Sequence, residues 1–145
     1  LVASAFRQLH VARSTESLAM NASHMAWACA KADVRGPAHR FVREAVKMAA
    51  RAFPRNTWSL RHLTMVAWSV VLCCLYTEAS VGFVRDVYIR AAEQARRAGV
   101  SQTPDEQLQQ LVLIGTALRV DVGMRGHPLL SGWDLPVLPL TSALL

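Results

Sequence analysis

The longest run of apolar residues lies near the middle of the chain. Between residues 63 and 76 only Thr64 and Ser69 are polar, and no charged residue interrupts the run. A helix of this composition must be buried on nearly all sides. A membrane-spanning helix needs about 20 consecutive apolar residues, whereas charged or polar residues close this run at 61–62 and at 77–78. The pattern therefore predicts a central core helix within residues 58–76, packed between other helices, and no membrane span.

Apolar positions at helical spacing predict five further helices. They cover residues 2–11, 15–32, 38–53, 80–98 and 103–120. Gly36 is expected to leave the helical conformation, and Pro37 suits the first turn of the helix that follows. Gly99 is expected to end the helix before it.

Polar residues at the predicted helix starts indicate where each helix begins. The strongest signal is Thr103 followed by Pro104 and Glu106, which has the form of a capping box with proline at the first helical position. The expected caps are Ser14 or Thr15, Asn56 or Thr57, Ser80, and Thr103.

Two of these helices have a clear predicted inner face. In the helix over 38–53 the buried stripe is expected to consist of Phe41, Ala45, Met48 and Ala52. In the helix over 103–120 the inward residues are expected to be Leu108, Leu111, Val112 and Gly115.

The sequence also contains an internal repeat. The Ala-Trp pair at 26–27 recurs at 67–68, and the Phe-Val-Arg-Glu run at 41–44 recurs as Phe-Val-Arg-Asp at 83–86. Both offsets are roughly 40 residues, which is typical of repeats built from two helices. Residues 1–122 are therefore predicted to form an all-α domain, a short helical-hairpin solenoid of two to three repeats.

Residues 123–145 differ in composition from the rest of the chain. Glycine and proline recur there and disfavour regular structure, yet the segment is too apolar for a free linker. It is predicted to be an extended tail that contacts a partner; the alternative is that it folds back on the end of the helical domain. The candidate partner-binding residues are Leu129, Leu130, Trp133, Leu135 and Leu138.

Basic residues outnumber acidic ones and give a net charge of +6. Most of them are arginines, which suit bidentate contacts with phosphate. In the helix over 38–53 they recur on one face beside the apolar stripe, with only Glu44 between them, whereas on 80–98 Asp86–Arg90 and Glu93–Arg97 are expected to pair. The candidate RNA-binding residues are Arg40, Arg43, Lys47, Arg51 and Arg55; the alternative is an ordinary solvated face.

Enzymatic chemistry has little support in the sequence. The five histidines do not combine with cysteine or carboxylates at zinc-like spacing, and there is no glycine-rich phosphate loop or nucleophile elbow. Cys29, Cys73 and Cys74 lie in apolar runs, so they are expected to be buried packing thiols in a reducing compartment. Trp27 and Trp68 are expected to pack in the core rather than to stack on bases. We predict no catalytic activity, metal, cofactor or small-molecule substrate.

Residues 18–31, with the sequence LAMNASHMAWACAK, resemble the Leu-Ala-Asn…Trp-Ala-Leu-Ala-Lys helix of octotricopeptide and heptatricopeptide repeats. Residues 63–71 resemble a looser copy, and the resemblance covers about 17–98. Such repeats occur in organellar RNA-binding proteins, including the RAP-domain and FAST-kinase-like groups.

The resemblance implies an organellar protein that contacts RNA through a basic side of a helical array. Two or three repeats offer little surface for reading a long site, so the expectation is a fixed component of a larger particle, most simply a mitochondrial ribosome subunit on rRNA beside neighbouring proteins. The alternative is a helical scaffold subunit of an organellar membrane complex, with protein contacts only.

Overall fold

The computed structural model describes residues 14–32 and 36–122. Within these residues the secondary structure is entirely helical, which confirms the all-α class. The five α-helices are α1 (Thr15–Lys31), α2 (Pro37–Ala52), α3 (Leu60–Leu72), α4 (Glu78–Ala98) and α5 (Asp105–Ala117). A 3₁₀ turn (Val100–Gln102) precedes α5, and a π-helical turn (Leu118–Val122) follows it. The predicted helix over 2–11 and the predicted tail over 123–145 lie outside the described residues.

Helix α3 is the centre of the described fold, as its composition predicts. It contacts each of the other four α-helices, and Leu63, Val66 and Val70 are fully buried. The polar members Thr64 and Ser69 are buried too, and each hydroxyl donates a hydrogen bond to the carbonyl one turn earlier in the helix. Among the described helices, none combines the length and the hydrophobicity that crossing a membrane requires.

The most extensive contact between helices in the described fold is that of α1 with α3. Ala19, Ala22 and Ala26 on α1 and Ala67 on α3 are all buried, and such small side chains let two helix axes approach closely. Helix α5 packs on α3 as well, while α2 contacts α1, α3 and α4. The resulting core is continuous through all five helices.

Helix α5 crosses α4 at a glycine that no larger residue could replace without movement. A Cβ atom at Gly115 would lie 2.8 Å from the Tyr88 hydroxyl oxygen and 2.9 Å from two ring carbons. The Tyr88 ring is itself buried on α4, and the Arg119 guanidinium lies 5.9 Å from its centre. Gly115 therefore faces inward as predicted, because the absence of a side chain makes room for the tyrosine.

Two of the predicted chain breaks are confirmed. Gly36 has φ of 78°, outside the helical region, and Pro37 is the first residue of α2. Gly99 has φ of 86° and ends α4. Ser14 caps α1, where its hydroxyl oxygen accepts from the Ser17 backbone N–H at 3.1 Å.

Three other predicted helix starts are wrong. The cap of α3 is Ser59, not Asn56 or Thr57; Asn56 instead adopts a left-handed φ of 51° in the turn after α2. The cap of α4 is Thr77, and Ser80 is its capping-box partner three residues later. In each case several residues that can cap stand close together, and the path of the preceding chain selects one of them.

The third wrong start concerns α5, where the sequence signal is strongest. The helix begins at Asp105, with Pro104 at the cap position and no side-chain cap. The Thr103 hydroxyl donates instead to the Gly99 carbonyl at 3.4 Å. The intervening 3₁₀ turn brings these two groups together, so the threonine closes that turn rather than the helix.

The predicted inner faces of α2 and α5 are confirmed except at two residues. Phe41, Ala45 and Ala52 are buried on α2, but Met48 is only half-buried. On α5, Val112 is 36% exposed, so its predicted inward position is wrong. Ile114 and Leu118 are buried instead, because α5 packs through a face rotated away from Val112.

Candidate nucleic-acid interface

Five basic side chains follow one side of α2 and the turn after it. They are called the basic row here: Arg40, Arg43, Lys47 and Arg51 on α2, and Arg55 in the turn that leads to α3. All five are exposed. Their position follows from the two-faced sequence of α2, whose apolar stripe is turned towards α1, α3 and α4.

One ion pair lies within the basic row. The Glu44 carboxylate accepts a hydrogen bond from the Lys47 ammonium at 2.8 Å, and both side chains are well exposed. An ion pair this exposed stabilises the helix little and exchanges readily with other partners. The surface around the row remains positive overall.

A groove lies beside the basic row, between α2 and the start of α4. We call it the basic groove; its volume is about 340 Å³. Arg40, Arg43 and Lys47 line its rim, while buried apolar side chains from α2, α3 and the connection after α3 form its floor. The floor residues are Val46, Val70 and Leu75.

The wall of the basic groove opposite α2 is held by a network of hydrogen bonds. The Thr77 backbone N–H donates to the Ser80 hydroxyl at 2.9 Å, and the Ser80 N–H donates to the Thr77 hydroxyl at 3.2 Å. The Ser80 hydroxyl also contacts the Leu75 carbonyl. Cys74 has a left-handed φ of 51°, which turns the chain out of α3 so that Leu75 can enter the floor. The groove therefore has a fixed edge.

The turn that contains Arg55 is anchored by Arg90 of α4. The Arg90 guanidinium donates to the Phe53 carbonyl at 3.2 Å and to the Asn56 side-chain oxygen at 2.9 Å. It also lies 3.7 Å from the centre of the Phe53 ring. The predicted Asp86–Arg90 pair is thus wrong: Asp86 pairs with its neighbour Arg85 at 2.9 Å.

The two repeated tryptophans lie next to each other. The ring centres of Trp27 on α1 and Trp68 on α3 are 6.3 Å apart, with the planes inclined by 34°. Both side chains are half-buried, and within the described residues neither buried indole N–H has a hydrogen-bond acceptor. The Lys31 ammonium lies 5.3 Å from the Trp27 ring centre. The tryptophans pack at a helix contact and do not line the basic groove.

Other chemistry-bearing side chains are dispersed. The His24 and His62 rings meet edge to face at 6.1 Å, and burial, with a further contribution from His24, lowers the pKa of His62. Burial raises the pKa of the Cys29 thiol. Cys74 is exposed, so its predicted burial is wrong, because it lies in the turn beyond the end of α3. In the part of the chain that the structure describes, no three potential metal ligands come together.

Comparison of the chain with protein-family models, with curated proteins and with solved structures finds no significant match. The described residues thus form an all-helical fold with the basic row beside the basic groove. The resemblance of residues 18–31 to octotricopeptide repeats stays a prediction. The candidate partner-binding residues of the tail, between 129 and 138, lie outside the described residues.

Proposed function

We propose that the chain is a non-enzymatic, RNA-contacting component of an organellar ribonucleoprotein particle, most simply a subunit of the mitochondrial ribosome. The observation that carries the proposal is the basic row: five exposed bases follow one helix side and the turn after it, with Glu44 as the acid among them. From Arg40 to Arg51 the row extends over about 16 Å of helix, enough to meet several phosphates of folded RNA. Such contacts position a protein without reading sequence.

The fold that accompanies this function is a short helical-hairpin solenoid. In this arrangement α1 with α2, and α3 with α4, form two repeats, and α5 begins a third. The proposal is supported by the contacts of α3 with both α1 and α5, and by the contact between α2 and α4. It is supported further by Trp27 and Trp68, because these repeat-related side chains lie against each other as stacked repeats require.

A salt titration of RNA binding tests the proposed function. Binding of the full chain to a labelled structured RNA is followed by fluorescence anisotropy at increasing salt. If the five bases of the row each neutralise one phosphate, the logarithm of the association constant should fall against the logarithm of salt with a slope of about −3 to −4. An affinity that is flat between ~50 and ~200 mM salt, or no binding at the lower concentration, would contradict the proposal.

A helical scaffold subunit with protein contacts only is the second candidate function. It is favoured by the outer side of α5 and the turn after it, where Val112, Leu113 and Val120 are 36%, 50% and 50% exposed. Neighbouring proteins of a large complex could cover such a surface. Under this function, removal of residues 129–145 would release the protein from its complex, and reversal of the basic row would not.

A further inference from the structure

We propose that the basic groove holds one unpaired base of single-stranded RNA, and that it prefers cytosine or adenine to uracil. This inference rests on the proposed RNA contact and assigns the part of the RNA that enters the site. In this arrangement the rim residues hold the adjoining phosphates, the floor receives the face of the base, and Glu44 accepts from the amino group.

The size and lining of the groove favour a single base over a duplex. A volume of about 340 Å³ is near the lower end of the range for small-ligand pockets, which is about 300–1,000 Å³. At the floor Val46 and Leu75 each remain 7% exposed, so a narrow apolar surface is left for the flat face of a base to cover. An A-form duplex presents phosphates and sugars and keeps its base faces stacked, whereas bases of single-stranded RNA can turn outwards.

The rim supplies charge on the side from which a strand would approach. Arg40, Arg43 and Lys47 are exposed and lie along the edge formed by α2. The opposite wall carries no basic side chain among the described lining residues, and the Thr77–Ser80 network holds it in place. Phosphates are therefore attracted to one edge, which leaves a base free to turn towards the floor.

Glu44 determines which base fits. It is the one acid among the described residues that line the groove. An ionised carboxylate only accepts hydrogen bonds, so at the position where cytosine and adenine carry an amino group it accepts from that group, whereas uracil places its O4 acceptor there. Its exposed ion pair with Lys47 leaves the carboxylate accessible and places the ammonium where it can meet a phosphate.

The test compares three oligonucleotides of about eight nucleotides, a length typical for single-strand sites. Each is a uridine tract with cytidine, uridine or an abasic residue at its centre, and binding to the full chain is measured by fluorescence anisotropy. The cytidine oligonucleotide should bind about tenfold more tightly than the uridine one, as expected for one well-placed base contact. Equal affinities for all three would overturn the inference.

Three substitutions separate base binding in the groove from phosphate binding by the basic row. Ala79→Gln, at an exposed position on the groove wall, should fill the groove and abolish the cytidine preference while uridine-tract binding persists. Ala98→Gln, at an exposed position at the far end of α4, is the matched control and should change neither. Glu44→Gln should lower the affinity for the cytidine oligonucleotide towards that for the uridine one, and this variant gives a second reading if Ala79→Gln fails to fold.

The outcomes distinguish this inference from the proposed function. If the tracts bind in a salt-dependent way but without base preference, the RNA contact stands and the base site is wrong. If no oligonucleotide or structured RNA binds, both are wrong. An amphipathic Leu-Glu peptide provides a further test. If it displaces the oligonucleotide at concentrations below those of the RNA, and if Ala79→Gln abolishes this displacement, the groove binds an acidic protein segment and the inference is overturned.

Discussion

Reversal of three charges in the basic row, by Arg43→Glu, Lys47→Glu and Arg51→Glu together, is expected to weaken RNA binding by roughly a hundredfold or more. The three side chains are exposed along α2, so each contact with a phosphate is lost and replaced by repulsion. The salt slope should become shallower by about 2. Fluorescence anisotropy with the structured RNA measures both quantities, and circular dichroism confirms that the helices persist.

A matched control separates the effect of where the charges lie on RNA affinity from the effect of the change in net charge. Arg61, Arg96 and Arg97 are also exposed but lie at the start of α3 and the end of α4. Their joint replacement with glutamate changes the net charge equally and should lower the affinity much less. If both triple variants lose affinity equally, the field of the whole chain, and not the basic row, attracts the RNA.

Phe41→Ala is expected to reduce the free energy of unfolding by about 3–5 kcal/mol. The ring is fully buried where α2 meets the core, so truncation removes apolar contact and leaves a cavity that the neighbouring helices cannot close. Because domains of this size are stable by only about 5–15 kcal/mol, the variant should unfold at a clearly lower urea concentration. Urea titration followed by circular dichroism measures the change.

The repeat relationship supplies the comparison for this variant. Phe83 is the repeat-related residue on α4 and is also buried, so Phe83→Ala should have a cost of the same order. Met20→Ala, at a residue 44% exposed on α1, should cost less than about 0.5 kcal/mol. A loss below about 1 kcal/mol for Phe41→Ala would show that α2 does not pack as described.

The features that follow from local periodicity could be predicted from the sequence. Three such features are the all-helical class, the burial of α3 and the buried stripe of α2. Each depends on the spacing of apolar residues within one helix, because the side chains of every third or fourth residue meet the same neighbour. The basic row is placed on one helix side by the same spacing. Gly36, Pro37 and Gly99 mark breaks because their backbone preferences are local as well.

The features that depend on distant residues could not be predicted in this way. Arg90 reaches the carbonyl of Phe53 and the side chain of Asn56, and no spacing within α4 indicates these partners. The basic groove exists because the connection after α3 folds against α2, which brings Leu75 beside Val46. The choice of Ser59 and Thr77 as caps was likewise decided by the path of the chain and not by capping preference alone.

Under the proposed function, the side of the protein formed by α2 and the basic groove contacts RNA in the native particle. Ultraviolet crosslinking of the tagged full chain in cells, followed by mass spectrometry of nucleotide-bearing peptides, tests this contact most directly. Crosslinks should concentrate in residues 40–55 and 74–80. Crosslinks confined to α1 or α5, or recovery in a complex that ribonuclease leaves intact and that carries no RNA adducts on this protein, would contradict the account.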